Sequence, residues 1–292
     1  MLSDEIVITG NRAIARSYAK INLSLDVLDK REDGYHNVEM IMQTVSLFDL
    51  IIIDKTSNGI SVATNRKFLP TNEKNIAYAA AKSFFEYTKI RGGCKIFIQK
   101  NIPVSAGLAG GSGNGAAVLC ALDRLYNTGL TTDELSSIAV KLGADVPYCI
   151  IGGTMLATGI GEILTPLSAL PDCNILMVKP RVSVSTPAIY SELDNEAVLT
   201  HPDTDRLINS LIRGDLAAIA AGMENVMGTV TERIHPVVRG IRKKLIKNGA
   251  LGAVMSGSGP TVFGIFEDFN TAKRSHDSFA YQFKEVFLVN NK

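Results

Sequence analysis

The sequence predicts an α+β protein of two domains. A strictly alternating segment near the N-terminus reads as strand. Ala-rich stretches with bulky residues at helical intervals follow it, and late in the chain a second set of apolar strand-like runs surrounds a glycine cluster. At 292 residues the chain exceeds one typical domain. We expect a division into residues 1–154 and 155–292. With 46% hydrophobic and 20% charged residues it can bury a substantial core.

The elements follow in order. From Tyr18 to Leu28, Ala19, Ile21, Leu23, Leu25 and Val27 fall on one side and Lys20, Asn22, Ser24 and Asp26 on the other, the pattern of a half-buried strand. The period of two puts Lys20 and Asn22 on one face, about 7 Å apart along the strand. The charged segment DKREDGYHN turns at Asp33-Gly34, and apolar strand-like residues follow at 45–53. Residues 75–87 read as a helix closed by Gly92-Gly93, and KIFIQ at 95–99 as a short strand. After a glycine tract, a helix from Ala116 places Val118, Leu122 and Leu125 on one stripe and ends at Asn127 and Gly129. Thr131 with Glu134 predicts a capping box for a helix reaching Leu142 and stopping at Gly143. Asp145 is expected in the loop after it, with Pro147 returning the chain to extended structure. A strand at 174–180, helices at 204–213 and across 215–247, and a glycine cluster between two apolar strands complete the reading.

Charge and composition narrow the function. Thirty basic residues balance 29 acidic ones, so no broad positive field exists to gather nucleic acid or an anionic membrane. Any anionic ligand must be caught locally. No apolar run reaches the roughly 20 residues a membrane helix requires, and MLSDEIVITG has no export signal. Cys94, Cys120, Cys149 and Cys173 are scattered, without zinc or disulfide spacing, which predicts reduced buried thiols and a cytoplasmic protein.

The local trap is PVSAGLAGGSGNGAAVL at 103–119, with five glycines running into helix formers. Such a segment brings backbone amides close to a ligand, and a helix starting at its end adds a dipole that favours anions. Phosphate fits; a packed glycine turn without a ligand is the plainer alternative. A Walker loop is ruled out because no Gly-Lys pair is present, and a protein-kinase loop because no His-Arg-Asp motif follows. Gly111, Gly113 and Ala116 satisfy only the loose dinucleotide fingerprint.

PVSAGLAGGSGNGAA resembles the central motif of the GHMP kinases, the superfamily of galactokinase, homoserine kinase and mevalonate kinase. AKINLSLDVLDKREDGYHNVEMIMQTV, GADVPYCIIGGT and MSGSGPTVFGIF agree with it, in the expected order and over nearly the whole chain. The resemblance implies a two-domain GHMP kinase fold, with an N-terminal half like ribosomal S5 domain 2, a C-terminal α/β-plait half and a catalytic cleft at their junction. It also implies ATP as phosphoryl donor, with Mg²⁺ carried on the nucleotide. The acceptor it implies is a small molecule bearing a cytidine diphosphate group, phosphorylated at the 2-hydroxyl of a methylerythritol in the non-mevalonate route to isoprenoids.

Residue by residue, the resemblance makes Asp145 the catalytic base and Lys20 its cationic partner, where capping and a solvated strand lysine are the bland readings. Asn22 binds the erythritol part. Tyr35, His36 and Tyr190 recognise the cytidine end by stacking and hydrogen bonding, with Thr186 nearby. Pro103, Gly107, Leu108, Ala109, Gly110, Gly111, Ser112 and Gly113 hold the nucleotide, with Asn75 and Lys100 near adenine and ribose. Gly257, Ser258 and Gly259 form a possible active-site loop, for which core packing is the rival role. The metal ligands are unknown: no pair of metal carboxylates is evident, and Ser112 is at most a weak contact. Asn114, Gly115, Ser105 and Ala109 depart from some members and bear on loop stiffness. The association expected is monomer or homodimer. A GHMP kinase for another alcohol, such as homoserine or mevalonate, and a nonenzymatic nucleotide sensor are the rival readings.

Overall fold

A computed structural model describes residues 2–195 and 200–292. After a 3-10 turn at Leu2–Glu5 come β1 (Val7–Thr9), β2 (Arg12–Lys30), β3 (His36–Thr56), β4 (Gly59–Thr64), α1 (Ile76–Thr88) and β5 (Gly93–Gln99). Then follow α2 (Gly110–Tyr126), α3 (Thr132–Ala139), α4 (Asp145–Ile151), β6 (Thr154–Thr158), β7 (Ile163–Pro166) and β8 (Asn174–Lys179). The remainder is α5 (Thr186–Asn195), α6 (Thr204–Arg213), α7 (Leu216–Gly222), the short β9 (Glu224–Asn225), α8 (Val226–Ile234) and α9 (Pro236–Lys247), then β10 (Gly252–Met255), β11 (Val262–Phe266), α10 (Phe269–Ala280) and β12 (Glu285–Asn290).

Two compact units form. One holds the chain up to Ala19 with Leu47–Val104 and Ala109–Gly152; the other holds Lys20–Ser46, Ser105–Leu108 and Gly153–Lys292. The division is not a single cut in the sequence, because β2 and β3 each give residues to both.

In the first unit, β5 lies antiparallel to Leu50–Thr56 of β3 and parallel to β4, and β1 pairs with the start of β2. Helices α1, α2 and α4 close over a core that includes Ile51, Ile53, Phe84, Ile96, Val118 and Leu122. Asn75 caps α1, its side chain accepting from Ala77 N. That helix ends on Lys89 in the left-handed region rather than at Gly92-Gly93, of which Gly93 instead opens β5. The Thr131–Glu134 capping box is present, and α3 stops at Ala139, three residues before Leu142.

Two expectations here are corrected. Helix α2 begins at Gly110, not Ala116, so the glycines form its first turns. Their poor helix propensity is overridden by packing: a Cβ on Gly113 would stand 2.7 Å from Ser17 Oγ and 3.2 Å from Tyr18 O, so only glycine lets α2 approach β2. Asp145 is not in a loop, and the chain does not return to extended structure at Pro147. Asp145 opens α4 and Pro147 is its third residue, in the first turn, where a missing N–H costs no intrahelical bond.

In the second unit, β6 pairs antiparallel with Met40–Gln43 of β3 and with β7, and β9 runs parallel to β2 at Ser24 and Leu25. A separate antiparallel sheet has the order β10-β11-β8-β12. Helices α9 and α10 pack on it through Val238, Ile241 and Leu245 and through Ala272, Ser275 and Phe279. Helices α5 and α10 and strand β12 were not expected from the sequence.

Strand β2 also departs from expectation. Its alternation holds over Ala13–Tyr18, yet every residue from Ala19 to Val27 is buried, the polar row included. Burying that row is tolerable only because it finds partners inside the protein.

Candidate functional site

The buried polar row is the first part of the site. Lys20, 4% exposed, donates from Nζ to Asn22 Oδ1 at 2.8 Å, as the shared strand face predicts. The same Oδ1 accepts from Gly257 N at 3.0 Å, while Asn22 Nδ2 donates to Met40 Sδ at 3.2 Å. Asn22 is therefore fully buried with both ends engaged, and it ties Lys20 to the second glycine cluster. Farther along, Ser24 Oγ accepts from Ile41 N, and Asp26 places both carboxylate oxygens 2.9 Å from His201 Nδ1.

Within the second unit, Gly107 meets the second glycine cluster. Gly107 O accepts from Ser256 Oγ at 2.8 Å, Leu108 O accepts from Lys20 N at 3.2 Å, and a Cβ on Gly107 would fall 2.1 Å from Ser256 O. Gly107 is at φ +74°, so both contact and conformation demand glycine there. Asn225 Nδ2 holds the other loop by donating to Met255 O at 2.7 Å and Gly257 O at 2.8 Å. Ser258 Oγ lies 2.7 Å from Thr186 Oγ1, which joins that cluster to the start of α5.

In the first unit, Ala109 adopts φ +51° and leads into α2 without a side-chain cap. The first amides of a helix have no intrahelical acceptor, so Gly110, Gly111 and Ser112 present N–H groups at the positive end of a 17-residue dipole. Gly111 is exposed and Ser112 half-buried, whereas Gly110 and Gly113 are buried in packing. Asp145 stands half-buried at the N-terminus of α4, where a negative charge is favoured by the helix dipole.

Asn75 and Lys100 are hydrogen-bonded within the first unit, Asn75 half-buried and Lys100 buried. Pro103 is buried. Asn75 is spent on its cap and on Pro70 O, to which Nδ2 donates at 2.7 Å. Lys100 Nζ pairs with the fully buried Asp49, which also accepts from Asn101 N, Ile102 N and Asn114 Nδ2. Burial pulls the Lys100 ammonium below its usual pKa, and Asp49 opposes that pull. This knot fixes the turn leading from β5 towards α2.

A pocket of about 500 Å³ occupies the second unit, lined by Lys30, Tyr35, His36, Thr186, Tyr190 and Asp194 among others. The DGY turn forms it: Arg31 N donates to Tyr35 O at 2.7 Å, Gly34 takes φ +86°, and Tyr35 is left 61% exposed. His36 and Tyr190 stack with ring centroids 4.7 Å apart and planes at 14°. Asp194 bonds both Lys30 and His36; Lys30 first, then His36, holds its carboxyl below the usual range. An aromatic slot with an ordered imidazole can take a planar, polar-edged base.

Asp194, Lys30, Ser256, Asn225 and the Asp26–His201 pair escaped the sequence reading. Asp194 left a signal, since it follows Tyr190 by four residues and shares its helical face once α5 is recognised. The others act through contacts between distant segments and left none.

The chain resembles known proteins throughout. The family described as "GHMP kinases N terminal domain" matches residues 75–153, and "GHMP kinases C terminal" matches residues 207–285. A 4-diphosphocytidyl-2-C-methyl-D-erythritol kinase of Alkaliphilus metalliredigens (strain QYMF) is 48% identical, with 94% of each chain covered. One of Clostridium novyi (strain NT) is 45% identical, over 94% of this chain and 98% of its own. The crystal structure of a 4-(cytidine 5'-diphospho)-2C-methyl-D-erythritol kinase matches with a TM-score of 0.82 at 30% identity, covering 95% of this chain and 98% of the other. Homoserine kinase from Cytophaga hutchinsonii ATCC 33406 shares the fold at a TM-score of 0.81 and 19% identity, covering 98% and 97%. The chain thus belongs to the GHMP kinases, in the group whose members are named 4-diphosphocytidyl-2-C-methyl-D-erythritol kinase.

Proposed function

We propose that this chain transfers the γ-phosphoryl group of ATP to the 2-hydroxyl of 4-diphosphocytidyl-2-C-methyl-D-erythritol, releasing ADP and the 2-phosphate, in non-mevalonate isoprenoid synthesis. The observation that carries the proposal is the near full-length likeness to kinases of that name, and the aromatic pocket of His36 and Tyr190 supports it.

Phosphoryl transfer needs positioning and charge stabilisation more than covalent chemistry. Asp145 accepts the hydroxyl proton. Lys20 stabilises the negative charge of the moving phosphoryl group, held in one rotamer by Asn22. The amides of Gly110, Gly111 and Ser112 bind the phosphates of ATP at the head of α2. Pro103, Gly107, Leu108, Ala109 and Gly113 shape that loop, and Gly257, Ser258 and Gly259 pack against its Gly107 end. Tyr35, His36, Thr186 and Tyr190 receive the cytidine end. Asn75 and Lys100 serve the nucleotide indirectly, by fixing α1 and the turn after β5.

Mg²⁺ neutralises phosphate oxygens in reactions of this class. Among the described residues no group of three or more His, Cys, Asp or Glu could hold a metal ion; in this reading the ion is carried on the nucleotide. No described helix is long and apolar enough to cross a membrane. We place the enzyme in the cytoplasm, acting on small molecules as a monomer or homodimer without nucleic acid. A coupled ADP assay tests the proposal against a panel of alcohols. ADP release with the cytidine diphosphate-linked alcohol, and not with homoserine or mevalonate, is expected; the reverse pattern refutes it.

A further inference from the structure

Asn225 ends β9, which pairs with β2, and it caps α8. Its side chain is buried and engaged at both ends: Oδ1 accepts from Met227 N at 3.0 Å, while Nδ2 gives its two hydrogens to Met255 O at 2.7 Å and Gly257 O at 2.8 Å. The amide sits one way round only, because the reverse would set its oxygen against two carbonyls. Gly257, at φ +55°, is held from its other side as well, since its N–H donates to Asn22 Oδ1 at 3.0 Å. One glycine is thus clamped between two asparagines.

That clamp reaches Lys20. Asn22 Oδ1 accepts from Lys20 Nζ at 2.8 Å, whereas Ser256 Oγ, 3.4 Å from the same oxygen, spends its single hydrogen on Gly107 O at 2.8 Å. Gly257 N and Lys20 Nζ therefore orient the Asn22 carbonyl, and the amide end rests on a weak acceptor, Met40 Sδ. Without Asn225 the turn from Met255 to Gly257 loses two carbonyl anchors, Gly257 N leaves Asn22, and the amide that steers the ammonium can swing. We infer that Asn225 is a positioning residue for phosphoryl transfer, acting through Gly257 and Asn22 to hold the Lys20 ammonium in its working orientation. The inference rests on the reading of Lys20 as the cation at the moving phosphoryl group, and it adds the residue that keeps it there.

Steady-state kinetics of the full chain test it in Asn225→Ser and Asn225→Asp, each alone and in an Asn22→Ala background. Both variants keep an N-cap oxygen for α8, but Ser is too short to reach the two carbonyls and an ionised Asp has no hydrogen to give. With Asn22 present, each should lower kcat about tenfold, the worth of one hydrogen bond, at unaltered KM for ATP and for the acceptor. In the Asn22→Ala background the same change should alter kcat by less than about twofold, because the relay is already cut. General loosening of the fold would lower kcat by the same factor in both backgrounds, and that outcome overturns the inference; so does wild-type kcat in both single variants. Amide hydrogen exchange gives a reading independent of activity: residues 255–259 should lose protection in both variants, and unchanged exchange there refutes the clamp. If the wild type releases no ADP with the cytidine diphosphate-linked alcohol, it is the kinase reading that fails, and the exchange result still decides whether Asn225 holds the turn.

Discussion

Replacing Asp49 by alanine removes the centre of the buried knot in the first unit. Asp49 is fully buried and Lys100 is 4% exposed. The carboxylate accepts from Asn101 N at 2.7 Å, Ile102 N at 2.8 Å and Asn114 Nδ2 at 2.8 Å, besides pairing with Lys100. Asp49→Ala leaves a buried ammonium without its counter-charge and three donors without their acceptor. Breaking such a pair from one side costs about 3–5 kcal/mol. Lys100→Met is milder, because Asp49 keeps three N–H donors, and we expect about 1–3 kcal/mol. The Asp49→Asn/Lys100→Met double variant leaves no buried charge and should cost less than the sum of its single changes. The chain has no Trp, so urea unfolding followed by far-ultraviolet circular dichroism is the suitable assay. Asp49→Ala should also lower Tm by roughly 10 °C. An Asp49→Ala protein within about 1 kcal/mol of wild type, or a Lys100→Met protein equally damaged, would refute the reasoning.

Four other outcomes follow from the same structure. Burial depresses the Lys100 pKa from 10.5, so the unfolded chain binds that proton more tightly; wild-type stability should therefore rise with pH in the interval just below 10.5, and Lys100→Met should lack that component in a pH series of urea midpoints. Asp145→Asn should keep ATP affinity near normal while turnover falls by a factor on the order of 10² or more; near-wild-type turnover rejects the base assignment. Tyr190→Ala should weaken the cytidine-bearing acceptor by about 1–3 kcal/mol, read as a rise in its KM at unaltered KM for ATP. Burial pushes the Cys94, Cys120 and Cys173 thiols up to about 12, so at pH 8 an aromatic disulfide reagent should spare them in the folded protein and label all four cysteines in urea; fast labelling of these three in the native state would contradict their burial.

Local chemistry carried much of the design into the sequence. Alternation announced the strand at Tyr18–Leu28, Asp33-Gly34 announced the turn, the Thr131–Glu134 pair announced its helix, and the order of four motifs announced the family. Each depends on residues near one another in the chain, where spacing alone sets geometry. Where the sequence reading failed, packing decided. Propensity places glycines outside helices, yet the close approach of α2 to Ser17 and Tyr18 draws Gly110 to Gly113 into its first turn. Alternation predicts one wet face for β2, yet Asn22, Ser24 and Asp26 are buried with hydrogen bonds to Gly257, Ile41 and His201 from other parts of the chain, and Lys20 is buried with its ammonium on Asn22. Likewise His36 and Tyr190 could be named from sequence, but their stacking and the grip of Asp194 on the imidazole exist only once β3 and α5 are folded together.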